Sequence, residues 1–558
     1  TSTVRLSYST NMGAAWLPIA SGLPITNDYY LWNAFAIPSA PLVYWRVVCD
    51  GDTNAWDQND QAFALKGIGA IAYYVNDTNP VGDVYCSGIG AATNDGLSPS
   101  TPKDTIQGIL DAYNLHAHHV IYVDTGSYTG RTTTITGADQ GIAGVPMVIQ
   151  GSPNRAAGGT VLDRRSLAAD VVVLSSVSYV ALKDVVLRGG SRGVFFNAAN
   201  NCELEGVTAR NNGTGYNGAS SSGHRFLRCV AAINGTGWSG FNGGISWDQG
   251  ICWGNTIAFN LSSSGILSVS NSVIAGGTAF NNQVPSGDYN ILWNTVVNGY
   301  PNLNELQKAR GWWNSMYTDP LFADPANVDL HPRSVTGTYS NGTWVTYAEH
   351  SPCIDLGDPA KSYANEPMPH GSNINIGAFG NTGEASKSRT NAWLQVLNYN
   401  DGGVLTAGTD TTDRVYWRAG SYPPGATVRI EISLAGGAPG TWTIVETNIS
   451  AALGYYTWAN TNMASSDFAR WRVVYEGDTN TFSATTYTNF LFSAGPRKYY
   501  VNDANTNGDV YTTAPGNDAN LGTDAGSPKR TLKSVLDEHD VEPGNIIYMD
   551  TGYYDVLA

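Results

Sequence analysis

Short runs of alternating apolar and polar residues open the chain and predict β-strands. The runs VRLSY and YWRVV are separated by clusters of turn-forming residues such as SGLPITND and CDGDTN. Alternation with a period of two places one side of each strand against a core, and clustered Gly, Pro, Asn and Asp favour tight turns. Residues 1–70 are therefore predicted to form a small antiparallel β-sandwich.

A second pattern begins near residue 118 and continues to about residue 300. Segments such as VALKDVVLRGG, CELEGVTARNN and RFLRCVAAING can be superposed, and they recur about every 20–27 residues. A short apolar strand motif repeated at this period predicts coils that stack and bury their faces against one another. Equivalent inward positions are assigned to Leu182, Leu204 and Leu227, and a shared asparagine turn to Asn211, Asn234 and Asn260.

The chain also repeats itself with an offset of 426 residues. Residues 74–102 align without gaps with residues 500–528 (500 − 74 = 528 − 102 = 426), and the same offset carries Trp45 onto Trp471. A repeat that keeps its register over this distance predicts a tandem array, of which this chain is slightly more than one period.

The second copy of the sandwich contains strands that the first copy lacks. At least two strand-like runs precede Val428, whereas nothing before Val4 matches them. The first sandwich is therefore predicted to lack its opening strands. Either a domain has been cut at its start, or a neighbouring molecule supplies the missing strands, because an open sheet edge otherwise promotes aggregation.

Two stretches carry resemblances to known families. YYVND followed by GDVY and HVIYVDTGSYTG, with the closing TDPLFADPANVDLHP and INIGAFGNTG, resembles right-handed parallel β-helix proteins. In such proteins a short amphipathic helix covers the first coil, and Ile106, Ile109 and Leu110 fall on one helical face after Thr105 or Asp104 as its cap. VYWRAG, VRIEIS and ARWRVV resemble immunoglobulin-like modules of large bacterial extracellular proteins.

These patterns together predict an all-β chain, with a right-handed parallel β-helix flanked by immunoglobulin-like β-sandwich domains in tandem repeat. The expected domains are an incomplete sandwich at 1–70, a β-helix with an N-terminal capping helix and a C-terminal cap at 71–385, a complete sandwich at 391–495, and the truncated start of a second β-helix at 496–558.

The net charge indicates which partners are disfavoured, and the cysteines indicate the redox environment of the protein. The net charge of −16 disfavours binding to nucleic acid or to an anionic membrane, and no apolar run approaches the length of a membrane span. Cys49 and Cys86 are both replaced in the second copy, by Tyr475 and Thr512. Paired loss predicts a Cys49–Cys86 disulfide, and hence an oxidising, extracellular or cell-surface location.

The resemblance to β-helix proteins implies a search for lyase chemistry, because polysaccharide lyases share this fold. Such enzymes need a cation or an arginine to neutralise a uronate carboxylate, and a Lys or Arg base on an exposed sheet face. No acidic cluster accompanies the basic residues of the coils, so no catalytic residue is assigned. The residues considered for an acidic-sugar site are Lys183, Asp184, Arg188, Arg192, Arg210 and Arg228.

Two further groups have both a functional and a structural interpretation. Asp77 and Asp83 recur as Asp503 and Asp509, and these carboxylates either bind Ca²⁺ or cap turns. Four aromatic residues crowd the stretch GTGWSGFNGGISWDQGICWGN, which is interpreted as a long insertion. They either stack on sugar rings or pack the insertion against the coils: Trp238, Phe241, Trp247 and Trp253.

The leading functional hypothesis is a structural extracellular repeat protein that forms a surface fibre, filament or adhesive layer. Its partners would be other copies of the chain or adjacent repeats, in head-to-tail contact. The first alternative is a polysaccharide lyase or another carbohydrate-active enzyme on acidic glycans. The second alternative is a glycan-binding adhesin.

Overall fold

The structure is a computed structural model that divides the chain into two compact units. It describes residues 2–32, 37, 40–65, 71–261, 267–407, 414–458, 463–477, 483–494, 497–539, 541 and 545–554. The domain boundaries predicted at residues 70 and 495 lie outside these ranges. Unit 1 comprises Thr1–Asn212 and Tyr216–Arg225, and unit 2 comprises Gly213–Gly215 and Phe226–Ala558. No helix in the described ranges has the length and apolar character needed to cross a membrane.

Unit 1 begins with one antiparallel sheet, whose strands follow the alternating runs of the sequence. Its strand order is β2-β1-β3-β4, with β5 also paired to β3. Tyr8, Val43 and Leu65 form a small buried cluster, and Trp32 packs on Tyr8 with ring centroids 5.1 Å apart. The strands are β1 (Thr3–Ser9), β2 (Leu17–Pro24), β3 (Ala40–Cys49), β4 (Trp56–Gln58) and β5 (Phe63–Leu65).

The coils of the β-helix follow, built from short strands joined by turns. In chain order they are β6 (Ala72–Val75), β7 (Val120–Val123), β8 (Gly126–Thr129), β9 (Thr133–Thr136), β10 (Met147–Gly151), β11 (Thr160–Ser166), β12 (Val172–Ser175), β13 (Val180–Lys183), β14 (Val185–Gly190), β15 (Arg192–Asn197), β16 (Glu203–Glu205), β17 (Thr208–Arg210), β18 (Thr214–Ala219), β19 (Arg225–Leu227), β20 (Val230–Ala232), β21 (Thr236–Ser239), β22 (Ile245–Asp248), β23 (Ile251–Trp253), β24 (Ile257–Asn260), β25 (Leu267–Ser270), β26 (Val273–Ala275), β27 (Thr278–Asn281), β28 (Ile291–Trp293), β29 (Val296–Val297) and β30 (Met316–Tyr317).

In each unit these strands stack into three parallel sheets, which is the architecture of a right-handed parallel β-helix. In unit 1 the sheets run β6-β7-β10-β13-β16, β8-β11-β14-β17 and β9-β12-β15. Leu182 of β13 lies opposite Leu204 of β16, and both are buried, so the predicted equivalence of these two leucines is confirmed. The prediction for Leu227 is wrong, because its neighbour Phe226 is the buried residue of β19 and Leu227 is only half-buried. The all-β class and the β-helix predicted from the sequence are both confirmed.

A short helix, α1 (Ile106–Ala112), packs on the first coils of unit 1. The Thr105 hydroxyl accepts the N–H of Gly108 and caps the helix N-terminus. Ile106, Ile109 and Leu110 are its buried residues, as the spacing predicted. A side chain at Gly90 would collide with the chain that precedes this helix, since a Cβ there would lie 1.8 Å from the carbonyl oxygen of Asn76.

The coils of unit 2 hold an aromatic interior and asparagine ladders. The sheets run β22-β25, β20-β23-β26-β28-β30 and β21-β24-β27-β29. The shared turn predicted to use Asn211, Asn234 and Asn260 uses Asn212 in unit 1, and Asn234 and Asn255 in unit 2. The Gly190 N–H donates to Oδ1 of Asn212, and the Asn234 N–H donates to Oδ1 of Asn255, each at 2.9 Å. Asn260 belongs to a separate ladder with Asn281, because it lies on a strand one sheet further along.

The remainder of unit 2 contains a closing segment, a second sandwich and the repeated junction. A buried cluster including Met316, Phe322, Leu330 and Cys353 joins the closing segment to the last coils. The segment contains α2 (Leu303–Arg310), β31 (Phe322–Asp324), β32 (Asp329–Pro332), β33 (Thr338–Ser340) and β34 (Thr343–Val345). Single turns of 3₁₀-helix occur at Pro325–Asn327 and Ala451–Leu453 in unit 2, and at Arg155–Ala157 in unit 1.

The second sandwich has two sheets, of order β35-β37-β40 and β36-β43-β41-β38-β39, with β42 also paired to β41. Trp417 and Trp471 are both fully buried between them. The junction then recurs, with β44 and β45 in parallel. The strands and helix are β35 (Trp393–Val396), β36 (Val404–Thr406), β37 (Arg414–Gly420), β38 (Thr427–Ser433), β39 (Trp442–Ser450), β40 (Tyr455–Thr457), β41 (Ser466–Tyr475), β42 (Ser483–Thr485), β43 (Phe490–Ser493), β44 (Lys498–Val501), α3 (Leu532–Glu538) and β45 (Ile546–Met549).

Candidate functional site

Two arginines lie side by side on the outer face of unit 1. Arg188 of β14 and Arg210 of β17 are opposite each other in parallel register. Their neighbours Leu187 and Ala209 are fully buried, so alternation along each strand directs both guanidinium groups outward. Adjacent strands in a sheet lie about 4.8 Å apart, which brings two positive charges close together. We call Arg188 and Arg210 the arginine pair.

Among the residues that the structure describes, the carboxylate of Asp163 is the one that pairs with this group. Asp163 lies opposite Arg188 in the preceding coil and accepts from its Nε and Nη2, each at 3.0 Å. Nε of Arg165 lies 3.7 Å from the same Asp163 oxygen. Within the residues that the structure describes, Arg210 has no carboxylate partner, and burial together with the charge of Arg188 lowers its pKa. Three guanidinium groups therefore face one carboxylate, a local excess of positive charge in an acidic chain.

A cavity of about 270 Å³ adjoins this surface. Ser127, Thr129 and Arg131 line it together with the carboxylates of Asp77 and Asp104, and Thr129 lies opposite Asp163 in the neighbouring coil. The hydroxyl and guanidinium groups can donate hydrogen bonds to a polar ligand, whereas the two carboxylates disfavour an anionic group inside the cavity itself.

The other residues considered for an acidic-sugar site are occupied elsewhere. Lys183 pairs with Glu205 at 3.0 Å, and Arg192 pairs with Asp170 at 2.7 Å. Asp184 accepts from Arg155 at 3.1 Å and from Gln150 at 3.0 Å. Arg228 lies in unit 2 and adopts a left-handed φ of 53°. Of the six residues, the structure brings only Arg188 and Arg210 together as a cationic site.

A stack of tyrosines, which the sequence patterns did not predict, lies on the parallel sheet that contains β6 and β7. Tyr74 and Tyr122 are opposite each other in register with ring centroids 5.8 Å apart, and Tyr85 approaches Tyr122 at 4.8 Å. Along the same outward column come Gln150 and Lys183. The 426-residue offset could have revealed the stack, because the second copy repeats it with Tyr500, Tyr548 and Tyr511 at 5.5 and 4.8 Å.

The aspartates of the predicted Ca²⁺ sites bond to nearby groups of the same loops. Oδ1 of Asp77 accepts the Asn79 N–H at 2.7 Å, and Oδ1 of Asp503 accepts the Asn505 N–H at 2.6 Å. Asp83 and Asp509 each accept the side-chain amide of an asparagine, Asn76 or Asn502, at 2.7 and 2.6 Å. No group of three His, Cys, Asp or Glu side chains suited to a metal ion occurs among the described residues. At least one oxygen of each carboxylate is thus used locally, whereas Oδ1 of Asp83 and Oδ1 of Asp509 are buried without a hydrogen-bond partner among the described residues, so a Ca²⁺ site here stays a prediction.

A different aspartate organises the junction in both copies. The buried Asp124 carboxylate accepts the backbone N–H groups of Val84, Tyr85 and Cys86 at 2.6–2.8 Å. Asp550 accepts the three equivalent N–H groups of the second copy at the same distances. The repeated IYVDTG and IYMDTG pattern contained this signal. We call Asp124 and Asp550 the loop clamps.

The predicted Cys49–Cys86 disulfide is absent from the structure, in which both thiols are free. Cys49 ends a strand of the first sheet, opposite Val4, whereas Cys86 is held in the clamped loop with its Sγ directed to the carbonyl of Val75 at 3.8 Å. Burial and the charge of Asp124 raise the pKa of Cys86 to about 12. In the second copy Thr512 fills this position and its hydroxyl donates to Asp550 at 2.8 Å, so the replacement preserves the loop without a bridge.

The predicted glycan-binding aromatics belong to the core of unit 2. Trp238, Phe241 and Trp247 are each 1% exposed, and the rings of Trp238 and Phe241 stack at 4.2 Å. Trp253 is half-buried and packs edge-on against Phe322 at 5.2 Å. The stretch is a complete coil, β21 to β23, and its aromatic side chains fill the interior. Sugars therefore have no access to the first three rings.

Comparisons with known proteins give one partial family match and several weak structural likenesses. A family model described as "Disaggregatase related" matches residues 255–357, well under half of the chain. No curated protein matches. Among solved structures, a rhamnogalacturonan lyase is 16% identical (TM-score 0.30, 40% of this chain and 69% of that chain). The pectate lyase Pel9A is 16% identical (TM-score 0.35, 56% and 97%). An alginate lyase from Paenibacillus sp. str. FPU-7 is 17% identical (TM-score 0.23, 35% and 74%). These likenesses concern the fold alone.

Proposed function

We propose that this chain is an extracellular carbohydrate-active protein that recognises an acidic polysaccharide on the outer face of unit 1. The observation that carries the proposal is the arginine pair, in which Arg210 has no carboxylate partner among the described residues. A carboxylate is the natural ligand for such a site, because a guanidinium group binds it through two parallel hydrogen bonds.

The chemistry of the surroundings favours a sugar acid over a small anion. Ser127 and Thr129 are exposed on β8 and can hydrogen-bond sugar hydroxyls, and the tyrosine stack lies on the neighbouring sheet of the same unit. Parallel sheets present their side chains in regular columns, which suits a polymer with a repeating carboxylate. Neutralising a uronate carboxylate also makes its C5 proton easier to remove, so the same site would serve an elimination reaction.

The test is binding of polygalacturonate and alginate to the full chain, with neutral dextran as the comparison. We expect saturable, salt-sensitive binding of the acidic polymers only. Arg210→Met should lower affinity about tenfold or more, since losing one partner of a charged hydrogen-bonded pair costs about 2 kcal/mol or more. Arg310→Met, at the exposed end of α2, is the matched control and should bind like the parent.

The same samples decide between recognition and catalysis. Ultraviolet absorbance from unsaturated products would identify a lyase, whereas binding without such products would identify a glycan-binding protein. Equal binding of dextran and the acidic polymers, or an Arg210→Met variant that binds normally, would contradict the proposal.

A structural repeat protein of a surface fibre, filament or adhesive layer is the second candidate function. It is favoured by the repeated junction, where Asp124 and Asp550 make the same three backbone contacts 426 residues apart. The mass of the native polypeptide tests it. An array predicts a polypeptide or covalent polymer much larger than this chain, and a native mass equal to that of the chain alone would exclude the array.

A further inference from the structure

A polar cavity lies where the second sandwich meets the repeated junction, both within unit 2. Its volume is about 510 Å³. β45 pairs with one edge of β44, and the segment that contains Gly522 lies along the other edge, since the Tyr500 N–H donates to the Gly522 carbonyl at 2.8 Å. The cavity lies at this second edge, whereas the later coils of unit 1 stack on the opposite side, beyond β7. Its lining includes Ser465, Asp467, Arg497, Lys498, Tyr500 and Thr523.

The guanidinium group of Arg497 in this cavity is buried and only partly bonded. Its side chain is 10% exposed, and its Nη2 donates to Oδ1 of Asp467 at 3.3 Å. Its Nε has no hydrogen-bond partner among the described residues. Lys498 is exposed, and within the same residues no carboxylate pairs with its Nζ, which lies over the ring of Tyr548. Two cations therefore share one carboxylate, and a buried guanidinium N–H without an acceptor indicates a missing anionic group.

The first copy of the junction has none of these charges. Its tyrosine stack and its loop clamp are the same as those of the second copy, so both belong to the framework that the junction needs in order to fold. The cations are not part of that shared framework, which favours a role that only the second copy has. The 426-residue offset replaces Asp467, Arg497, Lys498 and Thr523 by Pro41, Ile71, Ala72 and Leu97.

We propose that this cavity binds a sugar acid through its carboxylate. The carboxylate contacts Arg497 and Lys498, because a guanidinium group bonds a carboxylate through two N–H groups. The Ser465 hydroxyl accepts the Ala494 N–H at 3.0 Å, so its own proton can be donated to a sugar hydroxyl. The ring of Tyr500 offers apolar contact to the C–H groups of a sugar ring.

The size of the cavity also favours a sugar acid over an inorganic anion. Pockets for small organic ligands typically measure about 300–1,000 Å³, and this cavity lies within that range. The site is separate from the arginine pair, which belongs to unit 1. The inference therefore does not depend on the proposed polysaccharide site.

Galacturonate is the probe, and the full chain carrying Arg210→Met is the reference, so that the arginine pair does not contribute. We expect saturable binding by isothermal titration calorimetry, and slower hydrogen exchange at the amides of residues 465–467 and 497–498. Galactose, which lacks the carboxylate, should produce neither effect. The exchange measurement also works on the unchanged protein, so it remains informative if a variant fails to fold. Absence of saturable galacturonate binding, unchanged exchange at these residues, or inorganic phosphate binding as tightly as galacturonate would overturn the proposal.

Variants of the cavity separate ligand binding from a purely structural ion pair. Arg497→Met should weaken galacturonate binding about tenfold or more, because the carboxylate loses a buried charged partner. Asp467→Asn removes the competing negative charge and should strengthen binding about twofold or more, whereas a purely structural pair predicts no change in affinity. Arg530→Met is the matched control, since Arg530 is exposed on the same junction and does not line the cavity, and it should bind within about twofold of the reference. Normal binding by Arg497→Met, or weaker or unchanged binding by Asp467→Asn, would overturn the proposal.

Discussion

Removing the loop clamp at Asp124 should destabilise the junction strongly and locally. The perturbation is Asp124→Ala, which deletes the acceptor of the Val84, Tyr85 and Cys86 N–H groups. It also deletes the bond from the Thr125 N–H at 2.8 Å. A hydrogen bond to a charged acceptor contributes about 1.5–3 kcal/mol when it is buried.

The expected loss is about 3 kcal/mol of unfolding free energy, less than the sum of these four bonds. The bonds share one carboxylate, and the freed N–H groups of a surface loop regain water, so their energies do not add. Asp77→Ala is the matched control. Asp77 is partly exposed and accepts only the N–H groups of Asn79 and Ser127, so its loss should cost about 1 kcal/mol.

Urea denaturation measures the free energy, and hydrogen exchange of the amides at residues 84–86 reports the local opening. The second copy provides an independent repetition, since Asp550→Ala should release residues 510–512 in the same way. A loss below about 1 kcal/mol for Asp124→Ala, with unchanged exchange at residues 84–86, would refute the clamp. If Ca²⁺ restored the stability that EDTA removed, the turn-capping explanation of Asp77 would also fail.

Three further predictions follow from buried groups. Burial raises the pKa of Glu366 to about 7, against the opposing N–H groups of Asn375 and Asn381. Because the pKa is raised in the folded state, the free energy of unfolding is highest below about pH 4 and falls as the pH rises toward 7. Glu366→Gln should remove this contribution and raise the free energy of unfolding by up to about 3 kcal/mol above pH 7. Thermal denaturation across pH measures both effects. Trp247→Ala should cost about 3–5 kcal/mol in urea denaturation, because the ring is buried in the core; a near-neutral effect would restore the glycan-binding interpretation. A reducing agent should leave the melting temperature unchanged, since Cys49 and Cys86 are free; a clear decrease would reveal a bridge.

Much of the fold was predictable because it depends on local periodicity. The recurrence of short apolar strands predicted the coils, and the equivalence of Leu182 and Leu204 follows directly from that period. The spacing of Ile106, Ile109 and Leu110 predicted the face of α1. The asparagine ladder was misassigned, since the choice between Asn255 and Asn260 depends on which sheet each residue enters.

The sites were less predictable, because each depends on partners from other coils. Trp238 and Trp247 look like loop aromatics in the sequence, yet their stretch forms a whole coil and their rings fill its interior. The charge of Arg188 is evident from the sequence. Its partner Asp163, however, lies 25 residues earlier in the sequence, in the preceding coil.

The sequence by itself determined the class of fold and the 426-residue repeat, because periodicity and self-similarity are properties of the chain. Only the tertiary structure decided which charges are neutralised and which aromatic rings are buried. Arg210 became a candidate site because stacking brings Arg188 beside it, and Trp247 became a core residue because its stretch forms a whole coil. Both conclusions rest on contacts between residues that are far apart in the sequence. Such contacts become known only when the register of the strands is known.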